Sequence, residues 1–357
     1  MKRTILFLNL IALISFTSCS DNDSSTEVVD PNATLYTQVL TNVSISVITE
    51  TYNSLYTNSE TLETAVVNLT IGNETALQAV KDAWQNTRAP WEKSEGFLYG
   101  PVDTDGIDPA IDSWPVDVNA INNILNSGNE ITSTLLESNN EARGFHTIEY
   151  FIWGLDGDKA AADLTAREIE YLTAATINLK SKTQELYYGW IASEGDFASN
   201  FINAGESGSI YTSQKGALAE IVEGLAIIAD EVANGKIEEP LNGNGGSAKP
   251  EAEESRFSNN SKLDFANNIR SIQNIYLGDY NGTNGSGITD VVVTTNTSLD
   301  TEIKVAISDA IAAIEAIPGT FTDAIENNRT AVENAQAKVL ALITVLESSL
   351  VPHISNL

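Results

Sequence analysis

The sequence has few of the side chains on which most enzyme and metal chemistry depends. Its 357 residues include one cysteine, Cys19, and two histidines, His146 and His353. A single cysteine excludes an internal disulfide. Two histidines exclude a zinc site with three histidine ligands. Because His353 lies at the C-terminal end, a serine or cysteine triad would have only His146 as its general base, which argues against both classes of hydrolase. The sequence also lacks a Gly-rich phosphate-binding loop.

Basic residues are also scarce. The chain has 19 Lys and Arg against 49 Asp and Glu, so its formal net charge is −30. Nucleic-acid binding requires clustered Lys and Arg side chains, and this charge balance therefore argues against a nucleic-acid partner. It also disfavours electrostatic adsorption to anionic lipid. An acidic surface does concentrate cations around the protein.

The first hydrophobic run is too short to cross a membrane as a helix. It covers residues 5–16, whereas a spanning helix needs about 20 residues. With the basic residues before it, this run predicts a signal peptide over residues 1–18. Small residues before Cys19 resemble a bacterial lipobox, with Phe16 where leucine is usual. We therefore expect Cys19 to become the lipidated N-terminus; the alternative is an ordinary secretory signal with an incidental cysteine.

The stretch after the signal peptide is polar and acidic. Residues 19–33 predict a flexible tether between the lipid and the folded protein. Acidic residues directly after the lipidated cysteine resemble a surface-export signal of bacterial lipoproteins. We therefore expect a cell-envelope protein, held in the outer membrane through lipid on Cys19, that faces the periplasm or the outside.

Most of the remaining chain has the apolar spacing of amphipathic helices. Apolar residues recur every three or four positions in four segments, at residues 169–190, 218–232, 303–317 and 325–346. Such stripes are typical of buried seams between antiparallel helices. The predicted fold class is therefore all-α, with long antiparallel amphipathic helices. Asp290–Thr294 is the best candidate for a β-strand.

The length suggests one large or two modest domains. We expect an N-terminal helical lobe at 34–200 and a C-terminal helical lobe at 201–357. Residues 234–255 are rich in Gly, Pro, Asn and Glu, and this composition predicts a long loop. Two further loops are expected, at 100–112 and 282–287.

The most informative motif contains a histidine and a glutamate three residues apart. On a helix, His146 and Glu149 would share one face and could bind the same metal ion. The aromatic and aliphatic residues around them predict burial, and a buried glutamate needs a partner, a metal or a proton. The alternative is that His146 and Glu149 form a structural pair within the core.

The ligand count bears on peptidase chemistry. Zincin peptidases need the motif His-Glu-x-x-His, and inverzincins need His-x-x-Glu-His. Here the residue after Glu149 is Tyr150, not a histidine. One histidine with several carboxylates suits iron or manganese at least as well as zinc. If the protein were a metallopeptidase, Glu149 or Glu95 would be the expected general base for a metal-bound water.

The chain resembles the imelysin family, also known as peptidase family M75. The Gly-x-His-x-x-Glu signature of the family matches residues 144–149, and three further blocks follow the family order at 84–101, 112–115 and 254–278. The resemblance implies two helical-bundle lobes with a candidate site between them. It also implies a cell-envelope protein, because family members are cell-envelope proteins and often lipoproteins. Some members are linked to iron regulation and uptake, and the family name records a proposed insulin-cleaving metallopeptidase.

The resemblance also implies the site residues. His146 and Glu149 would be metal ligands, and the next ligand candidates are Glu92, Glu95 and Asp112. Further residues that could face the same cleft are Arg88, Glu254, Ser258 and Asp264. We therefore predict a lipoprotein that binds a divalent metal in iron acquisition or handling, with iron favoured over zinc and with iron-uptake components as partners. A metallopeptidase and a non-catalytic surface binding module are the alternatives.

Overall fold

Amphipathic helices account for most of the chain in the computed structural model, which describes residues 30–357. The predicted signal peptide and Cys19 lie outside the described residues. The first nine helices are α1 (Ala33–Asn42), α2 (Glu50–Val67), α3 (Glu74–Glu92), α4 (Pro101–Thr104), α5 (Ile107–Ile111), α6 (Val118–Asn126), α7 (Ser133–Leu136), α8 (Gly144–Trp153) and α9 (Ala166–Trp190).

Nine more α-helices follow in the second half of the described chain. They are α10 (Ala198–Ile202), α11 (Gln214–Asp230), α12 (Glu238–Asn242), α13 (Ser261–Leu277), α14 (Ile288–Val293), α15 (Thr297–Glu315), α16 (Phe321–Asn327), α17 (Arg329–Val345) and α18 (Val351–Ser355). Two short antiparallel strands, β1 (Asp279–Tyr280) and β2 (Thr283–Asn284), form a hairpin.

Short helical turns of other types connect or extend these helices. The 3₁₀ turns are Glu95–Phe97, Asn140–Ala142, Ala161–Asp163 and Pro250–Ala252. The π-helical segments are Val43–Thr49, Glu231–Ile237 and Leu346–Leu350. Residues 32–357 form one compact unit. The all-α fold class is confirmed, whereas the division into two lobes at residue 200 stays a prediction.

The long helices form where the apolar spacing predicts them. The α9 helix covers the whole 169–190 series, and its buried residues include Leu172, Leu179 and Leu186. It begins at a capping box, in which Thr165 and Glu168 each accept a hydrogen bond from the backbone of the other. The helix packs against α2, which also packs against α3.

Two helix predictions differ from the structure at their ends. The 218–232 series continues beyond α11 as the π-helical segment Glu231–Ile237, so the expected loop at 234–255 begins later than predicted. The 325–346 series is divided between α16 and α17, because Asn328 has a non-helical backbone conformation. The heptad residues of this series remain buried on both sides of the break: Ile325, Val332, Val339 and Leu346.

The predicted strand at Asp290–Thr294 is wrong. These residues belong to α14, whose first turn is closed by the Asp290 carboxylate accepting a hydrogen bond from the Gly287 amide at 2.9 Å. Val291 and Val292 are buried against the core. β-branched residues favour strands locally, but core packing and the N-terminal cap stabilise a helix here. The predicted loop at 100–112 likewise contains α4 and α5.

Gly144 places the start of α8 directly against the end of α5. Its φ angle is 79°, a left-handed conformation that favours glycine. A β-carbon at this position would lie 2.3 Å from the carbonyl oxygen of Ile111. Because the two backbones touch here, Asp112, the residue after α5, is brought close to His146 in the first turn of α8.

Candidate metal centre

A buried cluster of charged side chains lies where several helices and a loop meet. The α3 helix packs against both α8 and α13, and the loop before α13 completes the surroundings. The members of the cluster are Arg88, Glu92, Glu95, Asp112, His146, Glu149, Lys236, Glu254 and Asp264. We call this set the charged cluster.

His146 presents each ring nitrogen to a carboxylate. Its side chain is wholly buried, and Nδ1 lies 2.9 Å from Oε2 of Glu149. On the other side of the ring, Nε2 lies 3.2 Å from Oδ1 of Asp112 and 3.4 Å from Oε1 of Glu254. His146 and Glu149 therefore lie on one face of α8, and this face contacts the rest of the charged cluster.

The Glu149 carboxylate is used at both oxygens. One oxygen faces His146, and the other accepts hydrogen bonds from the backbone N–H and the hydroxyl of Ser258, at 2.8 and 2.7 Å. Glu149 therefore joins α8 to the loop before α13 and fixes the orientation of the imidazole. Carboxylates commonly hold metal-binding histidines in this way. The role of Glu149 as a direct ligand stays a prediction.

Arg88 is the central cation of the charged cluster. Its terminal nitrogens contact carboxylate oxygens of Glu92, Asp112 and Glu254, and its Nε lies 3.5 Å from Asp264. Burial alone would lower the pKa of Arg88, but these four carboxylates hold it above its usual range. Arg88 therefore stays charged and offsets part of the negative charge around it.

Lys236 is a second cation that sequence reasoning missed. It lies on the π-helical segment Glu231–Ile237, where a loop was expected. Its Nζ lies 2.9 Å from Oε2 of Glu254 and 3.1 Å from Oε2 of Glu95. The available signal was the apolar pattern of α11, which continues through the buried residues Val232 and Ile237 and would have carried the helix as far as Lys236.

The carboxylates of Glu92 and Glu95 both contact the side-chain amide of Asn268. The amide nitrogen of Asn268 donates to Oε2 of Glu92 at 2.6 Å and to Oε2 of Glu95 at 3.1 Å. Burial raises the pKa of Glu92 to about 8, although Arg88 and Lys236 oppose the shift. Burial also raises the pKa of Glu95 well above its usual value. The Glu92 carboxyl group therefore holds a proton up to a higher pH than an ordinary glutamate does.

The pKa values of Asp112 and Glu254 shift downward, in the opposite direction to those of Glu92 and Glu95. Burial would raise the pKa of Asp112, but the Arg88 guanidinium outweighs this effect and the net shift is downward. The pKa of Glu254 is also held well below its usual value, because Lys236, His146 and Arg88 together outweigh burial. Both carboxylates are therefore ionised where they face Nε2 of His146.

The imidazole of His146 is protonated in the metal-free protein. Burial and the Arg88 charge lower its pKa, but hydrogen bonds to Asp112, Glu149 and Glu254 outweigh them and raise it well above its usual value. A metal ion binds the neutral imidazole, so metal binding at Nε2 would release a proton.

Two sets of three side chains within the described residues could each bind one ion. Asp112, His146 and Glu254 form the first set, and Glu92, Glu95 and Asp112 form the second. The potential ligand atoms within each set lie within 4.8 Å of one another. One imidazole nitrogen with carboxylate oxygens suits iron, manganese or zinc, whereas carboxylates alone suit harder ions.

Known proteins resemble this chain over most of its length. The sequence profile of the imelysin family, peptidase M75, matches residues 48–350. The chain belongs to the imelysin family. One relative is the iron-regulated protein A of Synechococcus elongatus. It is 27% identical to this chain over 281 residues, which cover 77% of this chain and 74% of that protein.

Solved structures share the imelysin fold. The crystal structure of a protein from Parabacteroides distasonis, named as an iron-regulated protein A precursor, has a TM-score of 0.80 and 28% identity, covering 92% of this chain and 97% of that one. An imelysin-like protein from Psychrobacter arcticum has a TM-score of 0.73 and 16% identity, covering 91% and 97% of the two chains. The second likeness supports the fold alone.

The fold of this imelysin-family chain brings the predicted metal ligands and the predicted cleft residues into one place. His146, Glu149, Glu92, Glu95 and Asp112 lie in the charged cluster or on its edge. The same holds for the four residues predicted to face the cleft, Arg88, Glu254, Ser258 and Asp264. Their roles as ligands stay predictions. The other histidine, His353, lies elsewhere and contacts the Thr295 hydroxyl at 3.0 Å.

Proposed function

We propose that this imelysin-family protein binds one iron ion, or a similar divalent metal, through Asp112, His146 and Glu254. The observation that carries the proposal is the convergence of Nε2 of His146 with one oxygen from each carboxylate within 4.8 Å. The three side chains come from distant parts of the sequence and are held by the packed helices around them. A metal ion bound there would supply positive charge to a cluster with more carboxylates than cations.

The surrounding residues support binding rather than adsorption at the surface. Glu149 and Ser258 fix the imidazole, and Trp91 donates from its indole nitrogen to Oδ2 of Asp112 at 2.6 Å. Orientation of ligands by such outer partners raises metal affinity. Zinc is the alternative ion, because a single histidine with carboxylates does not separate the two.

The cellular role rests on the sequence and on the names of relatives. The predicted lipidation of Cys19 would hold the protein in the outer membrane. The relatives named iron-regulated protein A favour a role in iron acquisition or handling. Components of an iron-uptake system are the partners that this role requires.

Peptidase activity is the second candidate, and it rests on the name of the family. A general base needs an oxygen free to accept a proton from water. Both oxygens of Glu149 already bind His146 and Ser258, and Glu95 contacts Lys236 and Asn268. The geometry therefore supports a binding site better than a hydrolytic one.

Elemental analysis of loaded protein tests the proposal. The chain from residue 20 onward contains the compact unit 32–357, and it would be loaded with ferrous iron, zinc or manganese and then desalted. We expect about one metal ion per chain, lost in His146→Ala. Wild-type protein that retains no metal, or His146→Ala that binds as well as wild type, would contradict the proposal and favour a non-catalytic binding module.

A further inference from the structure

The ammonium group of Lys236 lies among the carboxylates of the charged cluster, where positive charge is electrostatically favoured. Its side chain is 7% exposed, and Nζ contacts Glu254 and Glu95, with Glu92 at 4.0 Å. Glu254 is shared among three cations, because Oε2 faces Lys236 while Oε1 faces His146 and Arg88. The ammonium group thus neutralises a carboxylate that the proposed metal site also needs.

We propose that Lys236 is a displaceable internal cation that competes with the metal ion and sets the affinity of the site. This inference rests on the proposed function. In the metal-free protein, Lys236 would compensate the charge of Glu254 while it contacts Glu95. When a metal ion binds to Glu254, the ammonium would leave the charged cluster, because like charges in a buried setting repel each other strongly.

Of the two permanent cations in the charged cluster, only Lys236 has a route outward. Arg88 is wholly buried, contacts four carboxylates and lies over the ring of Phe145 at 5.1 Å. Lys236 has a further carboxylate nearby, because Oε1 of Glu231 lies 3.9 Å from Nζ and the Glu231 side chain is 49% exposed. Movement toward Glu231 would exchange one ion pair for another.

A cavity lined by two carboxylates near Lys236, those of Glu95 and Glu231, provides room for this movement. It has a volume of about 230 Å³, and both Glu95 and Glu231 line it, together with Tyr99, Glu220, Glu223 and Ile227. The ammonium would therefore move into surroundings that are still acidic. Lys236 also lies on a π-helical segment, and such segments are rare and often occur at functional sites.

The first experiment compares Lys236→Met with Lys180→Met. Lys180 pairs with Glu63 between α9 and α2, away from the charged cluster, so its substitution removes the same charge elsewhere. Ferrous iron and zinc affinities would be measured by competition with a chelator. We expect Lys236→Met to bind metal about tenfold tighter or more, because the competing charge is gone, and Lys180→Met to bind as wild type does.

Thermal unfolding of the same proteins gives a second measurement. Without Lys236, Glu95 loses its contact with a cation and Glu254 keeps only Arg88 and His146, so metal-free Lys236→Met should unfold at a lower temperature than wild type. Because a ligand that binds the folded state stabilises it, the metal-dependent rise in melting temperature should be larger in the variant. Lys236→Gln is the substitute if Lys236→Met does not fold.

Amine labelling of wild-type protein tests the displacement without a substitution. An acylating reagent followed by mass spectrometry reports the reactivity of each lysine. We expect Lys236 to be protected in the metal-free protein and to react faster after loading with metal, while Lys180 stays unchanged.

The outcomes separate this inference from the proposed function. Metal binding by wild type with unchanged or weaker binding by folded Lys236→Met, or unchanged labelling of Lys236 on loading, would overturn the inference alone. If neither protein binds metal, both the proposed function and the displacement fail.

Discussion

Nδ1 of His146 lies 2.9 Å from Oε2 of Glu149, and the other oxygen of that carboxylate accepts two hydrogen bonds from Ser258. The residues that the family signature places three positions apart are thus connected to a loop more than a hundred positions later in the sequence. This arrangement leaves Nε2 of His146 as the nitrogen that faces Asp112 and Glu254.

Glu149→Gln should weaken metal binding without abolishing it. The amide keeps the size of the side chain but has lost the charge that fixes the imidazole and favours its orientation. Loss of such an outer partner costs about 10–100-fold in metal affinity. Chelator competition would measure the effect. A complete loss of metal, equal to that in His146→Ala, would show that Glu149 is itself a ligand.

The contact between Gly144 and the Ile111 carbonyl predicts a steric effect that can be isolated. Gly144 and Gly72 both have φ angles of 79°, but nothing lies within 4 Å of a β-carbon at Gly72. Gly72→Ala therefore adds only the strain of the left-handed backbone, about 1–2 kcal/mol. Gly144→Ala should cost more in the free energy of unfolding, because Ile111 must also move. Equal losses in urea unfolding would contradict this account.

The apolar periodicity of the sequence was sufficient to predict the long helices, but it failed for a short segment whose structure depends on its surroundings. The helix α9 is predictable because its buried residues recur along its whole length. The Val-rich helix α14 is only six residues long, and its helical state depends on Asp290 and on core packing. Apolar spacing therefore predicts secondary structure well only in long segments.

The candidate site shows the same limit. The family blocks indicate that His146, Glu149 and Glu254 face one cleft, and all three belong to the charged cluster. The second role of Glu149 depends on Ser258, a contact that no local pattern encodes. Lys236 was missed because a π-helical continuation of α11 is rare, and its Gly and Asn residues resemble those of a loop.

The raised pKa of Glu92 predicts how stability changes with pH. Burial raises this pKa from 4.5 to about 8, so the folded protein binds a proton that the unfolded chain releases between these values. The free energy of unfolding of the metal-free protein should therefore fall as pH rises from about 5 to 8. The lowered pKa values of Asp112 and Glu254 act only at lower pH, below the usual carboxylate range.

Glu92→Gln tests that assignment. The amide cannot titrate, so the decrease in stability between pH 5 and 8 should become smaller. The buried Asp264, whose pKa is raised to about 6, contributes in the same direction and should keep part of the slope. Glu302→Gln, on the exposed surface of α15, is the control. Urea unfolding at several pH values would measure both, and an unchanged slope in Glu92→Gln would contradict the assignment.

Two adjacent glutamates provide the sharpest test of the ligand set. Glu254 faces His146 and Lys236, whereas the carboxylate of Glu253 is buried against the hydroxyls of Ser261 and Thr322, at 2.6 and 2.5 Å. The two side chains thus belong to one loop but have separate partners. One would bind metal, and the other would hold the loop in place.

Glu254→Gln should therefore lose metal affinity by more than about 100-fold, since it removes a proposed ligand rather than an outer partner. Glu253→Gln should bind metal as wild type does, but lose about 1 kcal/mol of stability through a weakened hydrogen bond. Chelator competition and urea unfolding measure the two quantities independently. If Glu253→Gln lost metal as completely as Glu254→Gln did, the affinity would depend on loop position, and Glu254 would not be shown to be a ligand.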